Sequence, residues 1–416
     1  MTEAEFAQKV RELGGRAFIV GGWVRDRLRG VKPHDKDYMV SGLSEMDFCG
    51  MFPDAQKVGN SFPVYLLSIA GESSEVAFAR KERKTGSGYT GFVTEYTPAV
   101  TVEEDLWRRD TTMNAIAAEL TEDGQAKTLI DPFGGQEDIA QHRIRAVSAH
   151  FTEDPVRALR AARQSAAFGF TITEETYGYM HACREELADE PQERLLGELT
   201  RALRTPKPSV FFRALEKADV LDAPFPELAA LIGKTQPEAF HPEGDAWEHS
   251  MFVVDTVARD TDSLTARFAA LAHDLGKGTT PESMLPHHYG HEVRGLDVLR
   301  TWNQRMTMPH QWVQAASFVI REHMRAPRLT KPGKITALLV AMQKQANVLP
   351  VSDFLAIIRA DHHSLPYYLE RAEEIIPLLR VSGREAPPGL RGPEVGQWIF
   401  SEQVKIFRDW KKENVC

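Results

Sequence analysis

Two hydrophobic periods divide the chain. Up to about residue 140, short apolar runs alternate with turn signals, which predicts a mixed α+β domain; from about Ile144 apolar positions recur at helical spacing to the C-terminus. The first informative run, Ile19-Val20, ends in Gly21-Gly22 and leads into Trp23-Val24-Arg25-Asp26, whose charges have helical spacing. After a turn, a second run opens as Asp35-Lys36-Asp37 and continues Tyr38-Met39-Val40. Further strands are expected over residues 64–69 and 75–79. In the second half, amphipathic helices are expected to begin at Trp247 and to cover residues 264–275.

The chemistry follows from that pattern. Alternate strand residues share a face, so Asp35 and Asp37 point the same way, and two close carboxylates call for a divalent cation. A glycine pair lets backbone approach a ligand, and helix N–H groups just beyond it favour phosphate. Glu75, at the start of its predicted strand, is a candidate third carboxylate. Residues 80–91 run from basic positions into three glycines, and are expected to form an irregular, mobile, positively charged loop suited to phosphates or a nucleic-acid strand. Arg108-Arg109-Asp110 opens another helical pattern and suggests a guanidinium held by an acid and aimed at a triphosphate. Further on, Thr152 or Asp154 can cap a helix with Pro155 near its start, along which Arg157, Arg160 and Arg163 recur every third residue. Glu153, Asp154 and Arg157 are candidates for reading a base edge, an acceptor beside a forked donor, and Arg160 and Arg163 for phosphates.

Composition narrows the setting. The 416 residues suffice for two to four domains, and 42% hydrophobic with 26% charged residues is ordinary for a globular protein. A formal net charge of -9 means that any nucleic-acid binding relies on local basic patches. Cys49, Cys183 and Cys416 show no CxxC spacing, the first residues are acidic without an apolar signal core, and no run approaches membrane-spanning length. A cytoplasmic enzyme is the expectation.

Taken together, Gly21-Gly22-x-Val24-Arg25-Asp26, Asp35-x-Asp37, Arg109-Asp110 with Asn114-Ala115, Glu153-Asp154-x-x-Arg157 and the glycine-rich loop at residues 84–92 resemble the class II tRNA nucleotidyltransferases, the CCA-adding enzymes, over nearly the whole chain. The resemblance implies a polymerase-β-like head followed by all-α neck, body and tail regions. It also implies addition of C, C and A to the tRNA 3′ end from CTP and ATP without a nucleic-acid template. Asp35 and Asp37 then match the Mg²⁺-binding carboxylates; Gly22, Arg25, Arg109, Arg160 and Arg163 match nucleotide-holding positions; Asp154 and Arg157 match the pair that reads the incoming base. Thr111 departs from the family's usual apolar residue, beside the motif. Poly(A) polymerases and enzymes that add only CC or only A share such a head, and the loop at residues 80–92 favours full CCA addition.

Ten of the fourteen histidines lie between His241 and His363, too clustered for casual surface usage. His249, then adjacent His273 and Asp274 before a glycine, then Asp361, supply mixed N/O ligands for a divalent metal. The order H…HD…D resembles the HD phosphohydrolase superfamily, which implies metal-dependent hydrolysis of phosphomonoesters and 2′,3′-cyclic phosphates, with nickel or magnesium as precedent. His287, His288 and His291 are candidates for a second metal or for substrate phosphate. Arg321, Arg325, Arg328, Lys331, Lys334 and Lys344 face one acid, Glu322, and form the best basic patch of the helical half for a tRNA body. The expected layout is a head at 1–142, neck and body at 143–235, an HD domain at 236–365 and a helical tail at 366–416, in a monomer or homodimer. A dedicated HD nucleotide hydrolase with a degenerate head is the rival reading.

Overall fold

In chain order the N-terminal region forms α1 (Glu3–Glu12), β1 (Arg16–Val20), α2 (Gly22–Leu28), β2 (Asp37–Ser41), α3 (Glu45–Met51), β3 (Gln56–Val58), β4 (Val64–Ile69), β5 (Glu72–Phe78), β6 (Lys81–Lys84), β7 (Phe92–Glu95), α4 (Val102–Trp107), β8 (Ala117–Leu120) and β9 (Ala126–Ile130). The computed structural model describes every residue except His34, residues 59–61, residues 87–90, Phe240 and Cys416; the side chain of Phe92 is also left aside. Seven strands make one mixed sheet in the order β3-β4-β5-β2-β1-β8-β9, with β2 and β5 parallel and the other pairs antiparallel. Strand β1 is buried from its second residue on, which is why it reads as an unbroken apolar run: it is central in the sheet and covered on both faces. Phe18, Val20 and Met39 join Leu106 and Ala115 in one core cluster. Phe6, Phe48, Phe52, Tyr65 and Phe78 interlock in edge-to-face and tilted pairs.

Three expectations need correction here. Strand β5 begins at Glu72, so Glu75 lies inside it rather than at its start. The polar residues Glu72 and Ser73 hid this, because they pair with Ile69 and Ser68 across a tight turn at Ala70-Gly71, both at positive φ. Asp35 precedes β2 rather than belonging to it. Residues 81–84 are not irregular: they pair with residues 92–95 as an antiparallel hairpin whose first strand is Lys81-Glu82-Arg83-Lys84. Glu82 takes Arg80 and Arg108 on one side, while Lys84 reaches Glu186. Thr85 N–H donates to the Gly91 carbonyl and narrows the hairpin mouth, and residues 87–90 of the expected loop lie outside the described residues.

Beyond the sheet, α5 (Gly135–Ala140) and α6 (Val156–Phe168) begin the helical part. The apolar side of α6, Val156, Leu159 and Ala162, is buried as its spacing requires. The chain gathers into two compact units, one of residues 1–198 with 210–224 and the other of residues 199–209 with 225–416. The second unit is all-helical. Its helices Ala246–Asp260, Leu264–Ala272, His291–Arg305, His310–Glu322 and Val351–His362 pack around Phe268, whose ring lies between Trp302 and Trp312. No helix among the described residues is long and apolar enough to cross a membrane.

Candidate active sites

In the first unit, Val20 lies opposite Asp37 across the β1–β2 ladder, so the turn at Gly21-Gly22 leaves the sheet beside that carboxylate. The β2–β5 register, Tyr38 opposite Val76, brings Glu75 to the same end. Asp37 shows the result: its carboxyl is pushed up from 3.8, first by partial desolvation and then by the charges of Glu75 and Asp35, against the pull of Arg109. Gly21 has φ +69° and a Cβ there would lie 3.3 Å from Arg109 Nη1, so only glycine suits both the backbone and the guanidinium.

Around this carboxylate group runs a lattice of arginines. Arg25 Nη1 donates to Asn114 Oδ1 at 2.8 Å and its Nε to Asp26 at 2.9 Å. Asn114 Nδ2 donates in turn to Asp110 Oδ1 at 3.0 Å, and the other oxygen of Asp110 takes Arg160 at 2.7 Å. Asp110 is buried, but Arg160 and the Asn114 amide hold its carboxyl far below the usual range. Asp105, equally buried, is held at about 2 by Arg108 and Arg109. The lattice thus connects the Gly-Gly helix to α6 through paired, oriented guanidinium groups. Thr111 is fully buried in it, bonded to Gln164 at 3.0 Å, which is the physical reason a polar residue stands there.

The expected basic stripe on α6 is not a solvated one. Arg157 is buried and donates to the His150 carbonyl at 2.7 Å, and Arg163 meets Glu198 at 2.6 Å. Asp154 is held by both oxygens, each 2.9 Å from Arg194 Nη2, and Arg194 also binds the buried Glu190. Glu153 meets His150 at 2.8 Å. The side chain of Asp154 clamps to Arg194, a partner forty residues on that local spacing gave no sign of, and its Oδ1 also accepts from the Val156 N–H at 3.3 Å, at the first residue of α6.

The second unit holds a different site. His249, near the start of the helix Ala246–Asp260, puts Nε2 3.1 Å from Asp361 Oδ1 and 3.8 Å from Asp274 Oδ2. His273 Nε2 lies 3.2 Å from Asp274 and 3.9 Å from Asp361. The four residues of the H…HD…D pattern are thus brought together, all buried. His291 and His323 complete a second group: their Nε2 atoms lie 3.3 and 3.4 Å from Asp274 Oδ1 and 3.2 Å from each other. His323 was not anticipated; it sits in the apolar run 315–320 and its sequel, where a lone histidine reads as core.

The tautomers follow from the partners. His273 Nδ1 faces the Ala270 carbonyl at 2.7 Å, His291 Nδ1 the His288 carbonyl at 2.7 Å, and His323 Nδ1 the Ile320 carbonyl at 3.0 Å. A carbonyl only accepts, so each Nδ1 carries the proton and each Nε2 lone pair is aimed inward. His249 Nδ1 is tied to Glu243 at 2.5 Å. Among the described residues, His273 Nε2, Asp274 Oδ1 and Asp361 Oδ2 are buried without a well-directed hydrogen-bond donor, and Asp274 Oδ2 meets only the Lys277 ammonium. Orphaned acceptors this close together are costly unless a cation lies between them, so the donor set fits divalent metal. The geometry groups His249 with His273 and Asp274, and Asp274 with His291 and His323, each set of ligand atoms within 4.8 Å. Gly276 makes the second group possible: a Cβ there would fall 1.9 Å from the His291 carbonyl.

Beside the metal groups is a cavity of about 480 Å³ lined by Lys277, His241, Arg328, His362 and Asp361 among others. Lys277 Nζ bonds Asp274 at 2.5 Å and Gln236 at 2.6 Å. Of the two remaining candidates, His288 has both nitrogens engaged, with Thr280 at 2.9 Å and the Thr235 carbonyl at 3.0 Å, so it is a wall of the cavity and not a ligand. His287 stacks on Tyr289 instead. The six cations of the expected basic patch are all exposed, and Arg325 pairs with Glu322 at 2.7 Å.

Comparison with known proteins bears on both sites. The poly A polymerase head domain model matches residues 17–145, the model described as the probable RNA and SrmB-binding site of polymerase A matches 169–232, and the HD domain model matches 246–381. A multifunctional CCA protein of Nitrosococcus oceani is 38% identical over 404 residues, spanning 94% of this chain and 97% of that one. One of Pseudomonas syringae pv. syringae is 37% identical over 414 residues, spanning 96% and 99%. The crystal structure of the Bacillus stearothermophilus CCA-adding enzyme in complex with CTP superposes with a TM-score of 0.64 at 24% identity, covering 97% of this chain and 91% of that one. That likeness establishes a common fold, a polymerase-β-like head followed by helical regions. With relatives this similar along nearly its full length, the chain belongs to the family of multifunctional CCA proteins.

Proposed function

We propose that the first unit adds C, C and A to the 3′ end of tRNA from CTP and ATP without a nucleic-acid template, and that the HD site hydrolyses phosphate esters in tRNA 3′-end maturation or repair. The observation that carries the first part is the carboxylate end of the sheet facing the arginine lattice. Asp35 and Asp37, with Glu75 beside them, would hold Mg²⁺, which when bound neutralises the triphosphate and eases ionisation of the tRNA 3′-hydroxyl. Arg25 and Arg109 lie where the triphosphate approaches Gly22, and release of pyrophosphate leaves one new phosphodiester bond. Arg160 and Arg163 act through Asp110 and Glu198, fixing α6, whose Asp154 and Arg157 present acceptor and donor to the incoming base. Glu153 steadies His150 at the same turn.

For the HD site, the supporting observation is the convergence of four Nε2 lone pairs on Asp274 and Asp361. His249, His273, Asp274 and Asp361 would hold one divalent ion, Ni²⁺ or Mg²⁺, and Asp274, His291 and His323 a second; the ions supply Lewis acidity at a phosphate. Lys277 and Arg328 bring positive charge to the cavity, and Glu243 orients His249. The work is divided as head (1–142), neck and body (143–235), HD domain (236–365) and tail (366–416), with the exposed cations from Arg321 to Lys344 offered to tRNA.

The test is incorporation of labelled CTP and ATP into tRNA lacking its 3′ end, beside Asp35→Ala. Ordered addition that stops after C, C and A, absent in the variant, is expected. Unlimited ATP addition would make the head a poly(A) polymerase, and no incorporation at all would leave the HD site as the main activity.

A further inference from the structure

Lys36 stands between Asp35 and Asp37 in the chain, yet strand alternation does not fix where it points. Strand β2 starts only at Asp37, and the last β1–β2 pair is Val20 with Asp37. An ammonium on a flexible four-carbon stem pairs with whichever acid it can reach. Two contacts hold it. Lys36 Nζ donates to Glu3 Oε1 at 2.7 Å and lies 5.2 Å from the centre of the Trp23 ring, next to the Gly21-Gly22 turn. The acceptor is itself fixed: the same oxygen of Glu3 accepts from the Tyr38 hydroxyl at 2.6 Å, and the buried Tyr38 ring meets Phe6 of α1 edge-on at 5.6 Å. Glu3 thus binds the residues on both sides of Asp37. A shallow cavity of about 280 Å³ beside it is lined by Arg27, Lys36 and Lys127, and Glu3 is the single acid among the described residues of that lining. Arg27 is turned to the Ala126 carbonyl at 2.8 Å and Lys127 to Asp123 at 2.9 Å. Remove Glu3, and the acids next to Lys36 are Asp35 and Asp37.

We propose that Glu3, on the N-terminal helix, is a positioning residue of the nucleotidyl-transfer site: it sequesters Lys36, so that the divalent ion at Asp35 and Asp37 meets no built-in competing cation. This rests on the reading of Asp35 and Asp37 as the metal-binding carboxylates. An ammonium and a divalent ion seek the same carboxylate oxygens, so a freed Lys36 weakens metal binding without touching the nucleotide. The signature is a higher metal requirement, with the rate at saturating metal kept. Tyr38 serves the same end by fixing Glu3, so its hydroxyl matters through Glu3 and not by contact with substrate.

The experiment compares full-length wild type, Glu3→Gln, Lys36→Met, the double variant Glu3→Gln/Lys36→Met and Asp35→Ala. In the first measurement, CTP incorporation into tRNA lacking its 3′ end is followed as Mg²⁺ is raised. Glu3→Gln is expected to need about fivefold more Mg²⁺ for half its maximal rate, the size of one partly exposed ion pair. Its rate at saturating Mg²⁺ and its KM for CTP should stay at the wild-type level. Removing the competitor should bring the double variant back to the wild-type requirement. A defect that merely reflected a loosened α1 would persist in the double variant, and that persistence would overturn the proposal. The second measurement does not depend on turnover. Fe²⁺ with ascorbate cuts a chain beside the bound ion, and cutting near residues 35–37 should require about fivefold more Fe²⁺ in Glu3→Gln, return to wild type in the double variant and vanish in Asp35→Ala. An unchanged metal requirement in Glu3→Gln would refute sequestration while leaving the carboxylate assignment intact. Cutting that persists unaltered in Asp35→Ala would refute the assignment itself, and the proposal with it.

Discussion

The two sites solve the problem of holding divalent metal in opposite ways. At the end of the sheet, Asp35, Asp37 and Glu75 are all solvent-exposed, and the charge around them is already balanced in arginine pairs. In the helical unit, His249, His273, Asp274 and His323 are sealed from water with acceptors left bare. An open carboxylate cluster tolerates being empty, because water solvates it; a buried cluster of lone pairs does not. On the proposed reading, the head would be completed by a triphosphate that arrives with its own metal, whereas the HD site would be built around resident ions. Ligand chemistry follows the same line: oxygen donors suit Mg²⁺ in the head, and imidazoles suit a softer transition metal in the HD site.

The sharpest way to break this comparison is Asp35→Ala. Incorporation of CTP and ATP should fall to the uncatalysed level, while hydrolysis at the HD site and thermal stability stay at the wild-type level. A variant that lost both activities would mean that the sites are not independent.

Metal removal comes next. If the HD ions are resident, chelation should destabilise the second unit. Restoring Ni²⁺ at a hundred times its dissociation constant should return about 2.7 kcal/mol, which for a unit of this size raises Tm by roughly 5–10 °C. Asp274→Ala, removing the residue common to both groups, should abolish the shift, and His323→Ala should leave part of it. Mg²⁺ without nucleotide should not move the melting of the head. Calorimetry with and without chelator decides it, and a metal-independent second unit would dissolve the contrast drawn above.

How much of this was legible beforehand depended on the distance between partners. Asp37 at the start of β2 and the His273-Asp274 pair at a helix end were readable from local pattern, whereas strand alternation did not hold for Asp35, which precedes the strand. His249 and Asp361 followed because the order of ligand types is itself a signal. His323 was not readable, since one histidine in the apolar helix His310–Glu322 gives no local hint that its Nε2 meets Asp274, 49 positions earlier. For the same reason Arg160 and Arg163 of α6 read as free to hold phosphates: their carboxylate partners, Asp110 and Glu198, lie 50 and 35 positions away. The hairpin at residues 81–84 was missed because its first strand is wholly charged, and strand patterning is recognised by apolar alternation. The mixed α+β class of the head and the helical nature of the rest were legible from period alone, whereas the polymerase-β-like fold of the head followed from the family resemblance.

Base selection offers a finer contrast. On the proposed reading, nucleotide selection would rest on Asp154, just beyond the head, whose carboxylate is held by Arg194. Asp154→Ala should relax the preference for CTP and ATP over UTP and GTP by about 5–150-fold, the worth of one good base-edge contact of 1–3 kcal/mol. Arg194→Ala should relax it less, because the acceptor remains but is no longer fixed. Single-turnover incorporation of each nucleotide measures both, and discrimination unchanged in Asp154→Ala would remove that residue from the base-reading role.

The smallest expected effect concerns acid stability of the head. Burial alone would raise the Asp105 carboxyl, but Arg108 and Arg109, at 2.6 and 3.0 Å, overcome it and bring the group from 3.8 to about 2. A carboxylate depressed on folding adds stability above its unfolded value and loses it as pH falls, here through the window from about pH 4 to pH 2. The shift corresponds to about 2 kcal/mol. In that window, hydrogen exchange at the amides of α4 should accelerate in wild type, whereas Asp105→Asn, already lacking the charge, should exchange faster at pH 7 and change little on acidification. An α4 whose exchange is indifferent to Asp105 would show that the arginines beside the triphosphate approach are positioned by the lattice around Asp110 instead.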